Sequence, residues 1–211
     1  MISLFTRYYV KKQAKKKNII VPSNYIEILS EYCKLVESYG YKLHFRWHLA
    51  NDYDKLGANA GFFNSPILVT PEWAARLVLE NTEEVRTAFL LSLGHELTHK
   101  EKDIYILTKG LCSLKFSLQI NEVHADYGAV LKFVNSNRAL ALMGMNYKMK
   151  FKNINKESFE HPSWLKRKEY IQKYNFDEQL IRQIAEDVGC KNETVIKTVI
   201  NHFDPIILDD K

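Results

Sequence analysis

The sequence predicts an α+β fold, mostly helical, with a small β-sheet or hairpin ahead of a buried central helix and a compact helical module at the C-terminal end. Two observations carry this expectation: apolar residues recur at i, i+3, i+4 spacing in several long segments, whereas strict apolar/polar alternation is confined to the short stretch Tyr41 to Leu49. The composition, 46% hydrophobic and 26% charged with only eight glycines and five prolines, excludes a disordered or fibrous chain. At 211 residues the chain has room for one substantial core with a small appended module, here divided into a basic arm (1–20), a main domain (21–174) and a helical tail (175–211).

The elements follow in order. Arg7, Lys11, Lys12, Lys15, Lys16 and Lys17 crowd the first eighteen residues. They read as a solvated, partly frayed terminus, with weak membrane-surface or nucleic-acid contact as the alternative. Pro22 to Tyr39 places Tyr25, Ile28, Leu29, Tyr32, Leu35, Val36 and Tyr39 on one helical face and ends at Gly40. In Tyr41 to Leu49, Leu43, Phe45, Trp47 and Leu49 alternate with Lys42, His44, Arg46 and His48, predicting a strand whose histidines face outward. Asn51 to Gly61 is a polar connection, and Phe62 to Thr70, broken by Asn64-Ser65-Pro66, reads as a hairpin or bulged edge strand. Pro71 opens a short helix over Glu72 to Leu79. Asn81 with Glu84 forms a capping-box pattern for a helix running through His99. Further helices are expected at Leu111 to Asn135 and Trp164 to Tyr174, and a polar junction at residues 175–178 leads into the tail.

Cys33, Cys112 and Cys190 are odd in number and widely spaced, which argues against a disulfide framework and against a thiolate metal site, and fits a reducing, cytoplasmic setting. The opening Met-Ile-Ser-Leu-Phe-Thr lacks the apolar core of a secretory signal, and no run reaches the ~18–20 apolar residues that span a bilayer, so a soluble protein is expected.

The chemistry concentrates in His95-Glu96-Leu97-Thr98-His99. Residues four apart share a helical face, so both imidazoles can aim at one metal ion, with Glu96 beside them as a general base for a water. The motif follows the apolar run Ala88 to Gly94, and in a buried helix unpaired histidines would be costly. A catalytic zinc takes three protein ligands, and Glu122 of Asn121-Glu122-Val123-His124-Ala125-Asp126 is the expected third. Asp126, one turn on, is placed to fix the tautomer of a ligating histidine. His124 competes with Glu122 but points about 160° from Asp126 on an ideal helix.

These strings, followed by His161-Pro162 and Arg167, resemble the zinc peptidase family that includes HtpX and the CAAX prenyl endopeptidases. The resemblance covers roughly residues 40–172. It implies a gluzincin-like metallopeptidase domain, and the sequence departs from the family's membrane members in having no spanning helices between or beside these motifs. It also implies one zinc ion per chain on His95, His99 and Glu122, Glu96 as general base and Asp126 in support. Asn59-Ala60 and Ile67-Leu68-Val69 resemble the family's Asn-Ala stretch and the edge strand that pairs with extended substrate. His161 would stabilise an oxyanion, occupy the open metal position, or merely cap the helix after Pro162; Arg167 would orient the site's carboxylates or form a surface salt bridge.

In the tail, Ile181 to Ile200 resembles a helix-turn-helix, with Ala185 at the helix contact, Gly189 in the turn, and Val188, Val195 and Val199 in the interface. Lys191, Asn192, Thr194 and Lys197 would meet DNA; packing is the alternative, since Glu186, Asp187 and Glu193 dilute the positive field. Three functions follow: a zinc endopeptidase acting on a protein or peptide substrate, a DNA-binding regulator with a metallopeptidase-type sensor domain, and a non-catalytic zinc-binding protein.

Overall fold

The structure, a computed structural model, describes residues 2–46, 56–61, 65–107 and 110–210. Among them the chain is mostly helical with one small sheet, in agreement with the expected α+β class. The elements are α1 (Leu4–Lys17), α2 (Tyr25–Ser38), β1 (Leu43–Phe45), β2 (Ala58–Asn59), β3 (Ile67–Val69), α3 (Pro71–Leu79) and α4 (Glu83–Lys102). They continue with α5 (Leu111–Phe133), α6 (Arg138–Met149), α7 (Trp164–Lys173), α8 (Glu178–Asp187) and α9 (Glu193–His202).

The N-terminal segment is not a frayed arm. Ser3 caps α1 by accepting from the Thr6 amide, and Thr6, Val10 and Ala14, four apart, form a buried stripe. Thr6 donates its hydroxyl to the Phe45 carbonyl and Tyr9 donates to Glu72, which tie the helix to β1 and α3. Lys11, Lys12, Lys15 and Lys16 are exposed, Arg7 is half-buried and donates to the Ile2 carbonyl, and Lys17 pairs with Glu80.

The sheet order is β1-β3-β2: β1 runs parallel to β3 with Leu43 opposite Ile67, and β2 antiparallel with Ala58 opposite Val69. The expected edge strand Ile67–Val69 is therefore central, and the edge falls to β2 inside the stretch read as a connection. Leu43 and Phe45 are buried and His44 half-buried, matching the alternation; Trp47, His48, Leu49 and Phe62 to Asn64 lie outside the described residues. The α4 cap is also displaced by one residue: Thr82 accepts from the Val85 amide, while Asn81 takes a left-handed φ of 48°.

Two apolar clusters meet at α4. Val10, Leu29, Ile67, Val69, Trp73, Phe89, Leu93 and Leu97 fill one between α1, α2, the sheet and α4. Phe116, Ile120, Tyr127, Phe176, Ile184, Val195, Val199 and Phe203 fill the other between α5, α8 and α9. The supposedly polar junction at 175–178 thus contributes the fully buried Phe176, whose backbone bonds Ile206 in both directions.

Candidate metal centre

From Val85 to Thr98, α4 is buried on nearly every side, so its polar residues must find partners inside the protein. The partner helix is α5, and glycines set the approach. A Cβ on Gly94 would stand 2.7 Å from the Ala129 Cα, and one on Gly128 would stand 2.4 Å from the Thr98 hydroxyl oxygen. This contact brings the His95 and His99 face of α4 against Glu122 of α5.

The three side chains converge as the spacing predicts. His95 Nε2 and His99 Nε2 are 3.0 Å apart. Glu122 Oε2 lies 3.4 Å from His95 Nε2, and Oε1 lies 3.4 Å from His99 Nε2. Among the described residues these form the group able to hold a metal ion. Zinc bond lengths of about 2.0–2.2 Å in a tetrahedron put ligand atoms roughly 3.3–3.5 Å apart, close to this arrangement.

Behind each imidazole stands a carboxylate. Asp126 Oδ1 lies 3.0 Å from His95 Nδ1, and Arg167 in turn grips Asp126 through Nε (2.7 Å) and NH2 (2.6 Å). Arg167 is buried, reaches Glu122 at 3.6 Å and lies over the Trp164 ring, so it orients the site's carboxylates rather than forming a surface pair. His99 Nδ1 lies 2.9 Å from Asp103 Oδ1, and Tyr105 donates its hydroxyl to the other oxygen of Asp103 at 2.8 Å. Asp103 was open to discovery from sequence, because it follows His99 by four residues on the same face. Asn121 clasps the Ile104 backbone through both its amide atoms, holding the segment after α4 onto α5.

With each Nδ1–H given to a carboxylate, two Nε2 lone pairs and two Glu122 oxygens face a single point. A cation at that point, or a proton on one imidazole, makes the arrangement favourable, and an N, N, O donor set is one that zinc accepts. The ionisation pattern shows the same pull toward positive charge. Burial opposes protonation of His99, yet hydrogen bonds and charge from Asp103 and Glu122 push its pKa up to about 10. Burial would raise Glu122, but the two histidines and Arg167 hold it well below the usual carboxylate range. Asp126 is likewise lowered against its burial, chiefly by Arg167 and His95.

His161 reaches the same point from the loop before α7, with Nε2 3.3 Å from Glu122 Oε1. Ser158 fixes that loop: its Oγ accepts from the His161 amide, and its own amide donates to the His161 carbonyl. The helix cap is Ser163, not His161. His124, by contrast, is buried on the far side of α5 between Phe176 and Phe203, with ring centroids 5.0 and 4.3 Å away. Desolvation, with Lys102 nearby, lowers its pKa to about 3.

Glu96, half-buried, lines the cleft beside the ligands. Asn59 and Ala60 line it too, and Asn59 accepts from the Gly61 amide at 2.7 Å, so the edge strand that borders the site is β2. In the tail, α8 and α9 flank a turn at Gly189, whose φ of 75° suits glycine. Ala185, Val195 and Val199 are buried as expected, and Lys191, Thr194 and Lys197 are exposed. Asn192 caps α9 through its side chain, and Arg182 of α8 donates to Glu193 at 3.0 and 3.1 Å.

No family model matches the sequence, and no curated protein and no solved structure matches the chain. The chemistry of the site therefore rests on its own residues. No described helix is long and apolar enough to cross a membrane.

Proposed function

We propose that this chain is a zinc-dependent endopeptidase of the HtpX and CAAX prenyl endopeptidase type that works in the cytoplasm. The observation that carries the reading is the convergence of His95, His99 and Glu122 with a carboxylate behind each imidazole, beside a cleft of about 730 Å3 bordered by strand β2. A zinc ion held by these three residues would supply Lewis acidity toward a water and a peptide carbonyl.

The chain's own residues do the rest. The β2 edge pairs with the backbone of an extended peptide and lays the scissile bond across the site. Glu96 takes a proton from the attacking water and passes it to the leaving amine. His161 donates a hydrogen bond to the oxyanion that develops on the carbonyl, from a loop fixed by Ser158. Asp126, Arg167 and Asp103 keep the two imidazoles in one tautomer and orientation.

Metal analysis tests the reading directly. Purified protein should carry about one zinc per chain, lost in His95→Ala and Glu122→Ala, and metal-free wild-type protein would sink it. Glu96→Gln should keep the metal and lose peptide cleavage; a Glu96→Gln protein that cleaves as the wild type does would leave zinc with a structural role. A second reading, DNA contact through α9, is favoured by the exposure of Lys191, Thr194 and Lys197 at its start and outer face.

A further inference from the structure

The inward side of α1 accounts for its packing, and its outward side is left over. Thr6, Val10 and Ala14 face the core. On an ideal helix Leu4, Tyr8, Lys11, Lys12 and Lys15 fall on the opposite side, with Lys16 at its margin. All six are exposed, Leu4 with 82% and Tyr8 with 63% of its surface in solvent. Past the left-handed Asn18, Ile19 and Ile20 are exposed as well, Ile20 at 91%. Cations therefore occupy the middle of this surface, and apolar side chains stand at both of its ends.

Nothing in the chain offsets the charge. The α1 sequence holds no acidic residue, and the first in the chain is Glu27. Among the described residues Lys11, Lys12, Lys15 and Lys16 enter no ion pair, in contrast to Lys17, which holds Glu80. Like charges a helical turn apart repel, and a surface of opposite sign relieves that repulsion. The support is rigid, because Thr6 bonds the Phe45 carbonyl and Tyr9 bonds Glu72, so the lysines are presented without the cost of folding the segment on contact.

The apolar neighbours choose between anionic partners. Nucleic acid is held by arginine forks and by stacking on aromatic rings, and it gains little from Leu4, Ile19 or Ile20. The boundary of a bilayer takes aliphatic side chains and tyrosine at the depth where lysines meet headgroups, and reversible docking there uses both signals together. We infer that the outer side of α1 is a docking surface for an anionic lipid bilayer. Lys11, Lys12, Lys15 and Lys16 lie against the headgroups, and Leu4, Tyr8 and Ile20 enter the boundary with the acyl chains. The contact is peripheral, made by a helix that stays packed on the protein, and it does not depend on the zinc site or on the peptidase reading.

The test sediments the full chain with vesicles of phosphatidylcholine alone, or with about 30% phosphatidylglycerol, at about 50 and about 500 mM salt. A lysine near an anionic leaflet strengthens binding about five-fold, so at the lower salt the chain should partition onto the anionic vesicles at least roughly twenty-fold better than onto the neutral ones. Changing Lys11, Lys12, Lys15 and Lys16 together to Gln should remove that preference. Leu4→Ser/Ile20→Ser should keep the preference, lower overall binding by about ten-fold and remove what persists at high salt. Lys191→Gln/Lys197→Gln on α9 should leave binding as in the wild type. Because the altered side chains are exposed, each variant should keep the wild-type thermal unfolding, which separates lost docking from lost structure. Equal binding to neutral and anionic vesicles, no binding at the lower salt, or a preference that survives the four glutamines overturns the docking surface. A chain that ignores anionic vesicles but binds a labelled duplex through the same four lysines assigns the surface to nucleic acid and overturns it as well.

Discussion

The two faces of α5 bury histidine chemistry in opposite ways. One face presents Glu122 and Asp126 to His95, His99 and Arg167, and each of the two carboxylates lies within 4 Å of an imidazole nitrogen and of the Arg167 guanidinium. The other presents Ile120, Val123, His124 and Tyr127 to an aromatic core of Phe176 and Phe203, where His124 is kept neutral. Burial alone therefore does not mark a metal ligand. His124 is as buried as His95, with 6% and 8% of its surface exposed, and what distinguishes His95 is convergence with other donors and a carboxylate behind it. The polar face gathers donors that a metal ion could bridge, and the apolar face supplies the rigidity that keeps them aligned.

The largest expected effect tests whether the two faces are separable. Truncation before residue 175 removes Phe176, Leu180, Ile184, Val195, Val199 and Phe203 from the core that backs α5. The chain should lose its cooperative thermal unfolding, followed by circular dichroism, and its zinc together. A truncated chain that melts cooperatively and keeps its metal would show that the tail is an independent module.

Next comes a matched pair, one variant per face. Phe176→Ala opens a cavity on the apolar side and should cost about 3–5 kcal/mol in chemical denaturation, with zinc stoichiometry unchanged. Arg167→Met leaves the buried Asp126 and Glu122 undercompensated and should cost a similar ~3–5 kcal/mol, but with zinc affinity lowered about 10–100-fold. Equal effects of the two on zinc would erase the distinction between the faces.

The contact between α4 and α5 is the hinge of the comparison. In Gly128→Ala the new methyl meets the Thr98 side chain, which is itself held by a hydrogen bond to the Gly94 carbonyl. The Thr98 side chain and the helices together must give way by about an ångström, at an expected cost of about 1–3 kcal/mol. Because the same separation moves Glu122 from the histidines, zinc affinity should fall with stability, and a zinc titration checks it. The double variant Gly128→Ala/Thr98→Ser, with less bulk opposite the methyl, should recover part of both.

Much of this site was legible because its signals are local. Four-residue spacing put His95 and His99 on one face, and Glu122 with Asp126 on another, and the apolar run before His95 announced a buried helix. What stayed illegible depends on partners distant in sequence. In α1 the lysines dominate the composition, while the stripe that packs it is only Thr6, Val10 and Ala14. β2 is two residues long, too short for any periodicity, and the central place of β3 is decided by β1 and β2 on either side of it. Helix α6 buries Ala141, Gly144, Met145 and Tyr147, a face too small and mixed to stand out as an amphipathic stripe. Asn81 offered better capping chemistry on paper than the residue that caps, but the chain turns at Asn81 and leaves Thr82 in the extended geometry that a cap requires.

The smallest expected effect on stability concerns the outward side of the tail and decides the DNA reading without disturbing either face of α5. Lys191 and Lys197 are exposed, so Lys191→Ala/Lys197→Ala should change stability by no more than about 0.5 kcal/mol and leave zinc content intact. Truncation cannot serve here, since it removes core and surface together. If α9 contacts a duplex, wild-type binding should weaken steeply with salt, and the double variant should lower both affinity and the salt slope by roughly two phosphate contacts. The ion pair of Arg182 with Glu193 makes the opposite outcome informative as well. It joins α8 to the first turn of α9 and neutralises an arginine beside the would-be recognition surface. Glu193→Gln should then strengthen any duplex binding that exists, and no binding at low salt by wild type or Glu193→Gln would assign α8 and α9 to packing against α5 alone.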